Sequence, residues 1–211
     1  MIWITCVCVV CLGICLPLFL HYKQNLHLLL ATGYKCTGTL CAFLLALIAG
    51  IRLDPRCYVC AAAFFLYAVA DGFLEYSFML GAGFFLVGHI CGIAFFLSTA
   101  SLSALHVISF LASGGMMAYV YVRWRKPIGN QMPVFIVYGL SLILMCSAAI
   151  GCFSSFDLSG ILFAVGGMLF LFSDCVLLRR LLFPLSAFYN WVIMSTYYAA
   201  LLCIGIGCLQ M

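Results

Sequence analysis

The chain reads as an all-α polytopic membrane protein, one integral membrane domain of about eight transmembrane helices over residues 1–211 with both termini on the non-cytoplasmic side. Three observations predict this. The composition is 68% hydrophobic and 7% charged, with a mean hydropathy of +1.29, which a water-soluble globule does not tolerate. The apolar residues run in long stretches near the roughly 20 residues that cross a bilayer. The basic residues are divided unequally between alternate loops, as the positive-inside rule requires.

Taken in order, the predicted spans cover 2–20, 29–51, 57–78, 82–100, 103–122, 132–152, 157–178 and 185–209. The first is apolar without a basic leader or a small-residue cleavage site, so it reads as a retained span rather than a signal peptide. His21 to His27 separates it from the second, and Arg52 to Arg56 separates the second from the third. A turn around Gly81 and Gly83 follows, then Ser101 to Ser103. The fifth span is the weakest, being rich in Ser and Gly. Arg123 to Gln131, Ser154 to Asp157 and Arg179 to Pro184 complete the breaks. No strong internal repeat stands out, which argues against a carrier built from two inverted halves.

Loops after odd-numbered spans hold Lys23, Arg123, Arg125, Lys126, Arg179 and Arg180; those after even-numbered spans hold Arg52 and Arg56. That asymmetry places the odd loops in the cytoplasm. The net charge of +4 sits mostly in these loops and gives no reason to expect a nucleic-acid partner. The 14 cysteines are scattered through the spans, where thiols act as small hydrophobes. Cys57 and Cys60 have redox or metal spacing but lack a second pair or a neighbouring histidine. No metal and no cofactor is expected.

The chemistry is sought among acids at membrane depth. Of five acidic residues, three (Asp71, Glu75 and Asp174) fall inside predicted spans, where an ionised carboxylate costs several kcal/mol unless it faces protein or a wet cavity. Asp71 and Glu75 stand one helical turn apart on one face, with Tyr67 a turn earlier. Like charges that close do not both ionise in a low dielectric, so one of the pair is expected to keep its proton. The alternative is that Asp71 ion-pairs with Lys35 while Glu75 reaches the headgroups. Asp174 follows Ser173 on a face shared with Gly166, Gly167 and Phe170; it is either functional or tethered to Arg179.

Counted from the cytoplasmic end of each span at 1.5 Å per residue, Lys35 lies about 9 Å deep, Asp71 about 11 Å, His89 about 10 Å, Tyr138 about 9 Å and Asp174 about 7 Å. Five polar groups from five helices thus share one layer and are expected to line one pocket. Lys35 either snorkels to the surface, neutralises the acids or binds a phosphate. His89, beside the Gly88 and Gly92 stripe, is either a hydrogen-bonded structural group or a catalytic or substrate-orienting one. Thr196, Tyr197 and Tyr198 add hydroxyls on an apolar span.

The motifs run in a definite order from Lys35 through Ala70, Asp71, Gly72, Phe73 and Leu74 to Phe78, Gly81, Phe84, Gly88 and His89. Pro133 and Tyr138 follow, then Gly166 to Ser173 and Asp174, and finally Thr196, Tyr197, Tyr198 and Ala200. This order resembles the YhhN-like family, whose characterised animal members are lysoplasmalogenases. The likeness spans about Leu28 to Cys208. It departs from the family at Ala70 (usually Gly), Cys36 (often Pro) and Leu201 (commonly Gln).

The resemblance implies hydrolysis of the vinyl ether bond of a lysoplasmalogen, a lysophospholipid substrate drawn from membrane lipids, to a fatty aldehyde and a glycerophospho-base. It implies a multi-pass protein of an endomembrane such as the endoplasmic reticulum, or of a bacterial inner membrane. Vinyl ethers hydrolyse by protonation at carbon and capture of the oxocarbenium ion by water, which asks for one acid and one stabilising carboxylate, the logic of glycoside hydrolysis. Asp71 and Asp174 are the catalytic pair on this expectation, with their individual roles open. Lys35, Glu75, His89, Tyr138, Ser173, Thr196 and Tyr197 support them or bind substrate. A proton-coupled transporter and a non-catalytic lipid-binding protein are the competing classes.

Overall fold

The computed structural model describes residues 2–211 as an all-helical protein, with no strand among the described residues. Eight helices are long and apolar enough to cross a bilayer, giving a multi-pass integral membrane architecture. They are α1 (Trp3–Gln24), α2 (Leu28–Arg52), α3 (Cys57–Leu74), α4 (Phe78–Thr99), α5 (Ala104–Arg123), α6 (Met132–Gly151), α7 (Leu158–Leu182) and α8 (Phe188–Cys208). The Ser- and Gly-rich fifth span is helical; Ser103 and His106 close its first turn with a reciprocal capping box.

Local chemistry sets the breaks. Asp54 and Arg56 pair within the turn before α3, and the Arg56 guanidinium also donates to the Ser98 carbonyl at 2.6 Å. The side-chain and backbone bonds from Arg56 hold the Asp54 carboxyl below the usual carboxylate range. Asp157 caps α7 by accepting from the Gly160 N–H at 2.7 Å, as an N-cap aspartate does. Two predicted boundaries move. The turn between α3 and α4 lies at Glu75 to Ser77, not around Gly81 and Gly83, which are inside α4. Glu75 therefore caps α3 rather than continuing it. The polar Glu75-Tyr76-Ser77 triplet breaks the chain, while Gly81 serves contact: a β-carbon there would lie 2.9 Å from the Leu74 Cα. Likewise Arg179 and Arg180 belong to the last turn of α7, where positive charge suits the helix dipole.

Helices α2, α3, α4, α6, α7 and α8 close a ring, each packed on the next and α8 on α2. Helix α1 lies outside against α2, and α5 lies outside against α6. The order is the same in α1–α4 and α5–α8: one peripheral helix packed on the first of three ring helices. Close approach between α6, α7 and α8 depends on Gly167 and Gly166, where a β-carbon would lie 2.8 Å from that of Ala149 and 2.9 Å from the Ala200 carbonyl oxygen.

Candidate active site

A cavity of about 310 Å3 lies inside the ring, towards the end that carries the odd-numbered turns. Phe78, Phe85, Leu142 and Leu178 wall it, and Lys35, Asp71, Glu75, Tyr138, Ser173, Asp174 and Tyr197 also line it. Four of the five groups expected at one depth therefore share one hollow. The fifth, His89, is fully buried just behind the wall, with its ring 5.3 Å from that of Tyr138.

The two aspartates lie on α3 and α7, each the second ring helix of its half. Each faces a residue 36 positions earlier on the first ring helix of its half, Lys35 for Asp71 and Tyr138 for Asp174. The partners make the sites chemically different. Asp71 is buried and takes Lys35 Nζ at 3.4 Å on Oδ1. On Oδ2 it accepts from the Thr39 hydroxyl at 2.6 Å and the Tyr197 hydroxyl at 3.0 Å. One cation and two hydroxyl donors suit an ionised carboxylate. Asp174 accepts one bond, from the Tyr138 hydroxyl at 2.7 Å on Oδ2. Among the described residues no cation lies within ion-pair distance of it, and Arg179 is not its tether.

Glu75 is not simply solvated. Its carboxylate takes Lys23 Nζ at 2.9 and 3.0 Å and Lys35 Nζ at 3.3 Å. Lys35 thus bridges Asp71 and Glu75, so a shared ammonium offsets the repulsion expected between those acids. Burial of Lys35 shows that it does not snorkel.

Behind the cavity, the Ser141 hydroxyl donates to the Tyr138 carbonyl at 2.7 Å, which leaves its oxygen to accept from His89 Nδ1 at 3.0 Å. This pattern assigns His89 as the neutral Nδ1–H tautomer. The histidine positions Tyr138 through Ser141 and through ring packing. Ser173, though lining the cavity, donates to the Ile193 carbonyl at 2.9 Å and ties α7 to α8. Thr196 bonds back to the Val192 carbonyl at 2.7 Å, the ordinary intrahelical alternative for a threonine, and stays off the lining. The Tyr198 hydroxyl donates to the Lys35 carbonyl at 3.0 Å. Cys57 and Cys60 are free thiols, and no metal-binding cluster occurs among the described residues.

Sequence reasoning passed over Thr39, Ser141 and Lys23. Thr39 stands one turn after Lys35, so the i,i+4 rule could have found it. Lys23 had the look of a topology charge, since only the packing of α1 against α2 carries it to Glu75.

No curated protein and no solved structure matches the chain. The family model of the YhhN family matches residues 30–208. That match runs from α2 to the end of α8 and takes in Lys35, Asp71, Tyr138, Asp174 and Tyr197; the chain belongs to the YhhN family.

Proposed function

We infer that the protein is a lysoplasmalogenase-like hydrolase that cleaves the vinyl ether of a lysophospholipid by carboxylate acid–base catalysis, with Asp174 as the acid and Asp71 as the fixed anion. The observation that carries this reading is the unequal partnering of two aspartates in one cavity. A carboxyl that must leave water without a cation is stable in its neutral form, which is the form that donates a proton. A carboxylate held by an ammonium and two hydroxyls supplies a permanent negative charge where positive charge develops.

The steps balance. Asp174 gives its proton to the second carbon of the alkenyl group, and the first carbon becomes an oxocarbenium ion opposite the Asp71 carboxylate. Water bonds to that carbon and its proton passes to the emptied Asp174. Asp174 then protonates the glycerol oxygen as the hemiacetal carbon–oxygen bond breaks. The hemiacetal hydroxyl proton returns to Asp174. The products are a fatty aldehyde and a glycerophospho-base, and both carboxyls end as they began. The apolar walls suit the alkenyl chain.

A proton-coupled carrier needs a path to the opposite end of the bundle. Tyr67, His89 and Phe170 pack ring against ring beneath the acids, with centroids 5.4 to 5.7 Å apart, a floor that favours a one-ended reaction chamber. We place the cavity mouth on the cytoplasmic side, following the six basic residues at that end. Purified protein in nanodiscs, given 1-alkenyl lysophosphatidylethanolamine, is expected to release fatty aldehyde, and to leave the saturated 1-alkyl analogue uncleaved. Cleavage of both, or of neither, would overturn the assignment.

A further inference from the structure

Three cationic side chains line the cavity: Lys23, Lys35 and Arg180. Lys23 and Lys35 are engaged by Glu75 and Asp71. Arg180 differs. Among the described residues no carboxylate pairs with it. Its Nη1 donates to the Leu185 and Ser186 carbonyls at 3.1 and 3.0 Å, which pins the guanidinium at the rim. Its Nε and Nη2 have no hydrogen-bond partner among the described residues. Asn190, from the first turn of α8, also lines the cavity.

The charge balance favours an anion. With Asp174 as the neutral acid, the lining has three cations against two carboxylates, one positive charge in excess, and a phosphodiester has one negative charge. Arginine presents a planar fork that matches phosphate oxygens, and an arginine already fixed by two carbonyls has less entropy to lose on binding. The distances agree as well. Arg180 is six residues beyond Asp174 on one helix, a rise of about 9 Å. In the substrate, six bonds separate the ether-bearing alkenyl carbon from phosphorus, about 7 Å of extended chain, and an arginine–phosphate hydrogen bond covers the remainder.

We propose that Arg180 is the phosphate anchor of the active site, recognising the phosphodiester of a lysophospholipid and setting the reacting carbon at Asp174. This rests on the hydrolase reading above, and it assigns the phosphate to Arg180 rather than to Lys35. The substrate's phosphate, not its amine or choline group, is what the rim selects.

The test compares wild type with Arg180→Gln and Arg180→Lys in nanodiscs, on 1-alkenyl lysophosphatidylethanolamine and on 1-alkenylglycerol, which has no phosphate. Arg180→Gln is expected to raise KM for the phospholipid about tenfold or more, the worth of a charge-assisted bond, and to leave KM for alkenylglycerol unchanged. Arg180→Lys should recover part of the loss. Equal losses on both substrates, which mark a structural role, or no loss on either, overturn the proposal.

Binding of the uncleavable 1-alkyl analogues separates this from the hydrolase reading. Even if no aldehyde is formed, wild type should prefer the phospho-analogue to alkylglycerol and Arg180→Gln should not; an unchanged preference refutes the anchor. Millimolar inorganic phosphate should leave lysolipid binding intact. Its displacement of the lipid would assign the rim to free phosphate instead.

Discussion

Replacing Asp174 by Asn should lower aldehyde release at least about a hundredfold, the usual worth of a general acid, with little change in folding. Asparagine is nearly isosteric, and its amide oxygen can accept the Tyr138 hydroxyl bond now made to Oδ2. What it lacks is a proton to deliver to carbon. Initial rates in nanodiscs, alongside thermal unfolding monitored by circular dichroism, separate the two effects. Normal turnover by this variant would remove Asp174 from the mechanism. A lost fold would be unexpected, because the substitution takes no cation away from its partner.

Lys35→Met should have the opposite profile, a loss of stability as large as its loss of activity. The ammonium bridges Asp71 and Glu75 in a site where all three side chains are at most one-tenth exposed. Breaking a buried ion pair by removing one partner costs about 3–5 kcal/mol. Glu75 keeps Lys23, so most of the penalty falls on Asp71. Combining Lys35→Met with Asp71→Asn should therefore recover much of the stability and none of the turnover, a coupling that a double-mutant cycle measures. Wild-type stability in Lys35→Met alone would contradict the neutralising role.

Much of the fold was legible because crossing a bilayer imposes a long apolar run that composition cannot hide. The displaced boundaries lie where polarity and helicity part company. Glu75 continues the helical pattern of α3, yet the chain turns there; Arg179 and Arg180 look like loop charges, yet finish α7. The layer of Lys35, Asp71, Tyr138 and Asp174 could be found by counting depth, since a shared depth is a property of sequence position. Which face each helix turns inward is a property of packing. That is why His89 was expected in the cavity and lies behind it, and why Thr196 was expected to contribute and bonds to its own helix.

The difference between the two aspartates was equally out of reach. Asp71 read either as half of a repelling pair with Glu75 or as the ion-pair partner of Lys35; the structure shows the ion pair and adds Glu75 to it, whereas the lone hydroxyl partner of Asp174 had no signal in the sequence. The correspondence of Lys35 with Tyr138 appears only once the helix order of the halves is known. Two carboxyls line one cavity, and one cationic and one neutral partner turn them into different chemical groups. Such pairs, with environments pushing equal acids apart, are how acid and base roles are divided at one pH.

The account rests on proton transfer from a carboxyl to carbon. Wild-type protein turning over 1-alkenyl lysophosphatidylethanolamine in heavy water, quenched early, should release aldehyde bearing one deuterium on the second carbon, as mass spectrometry reads it. Aldehyde released without that deuterium would mean the ether bond breaks with no protonation at carbon, and would contradict the roles given to Asp174 and Asp71.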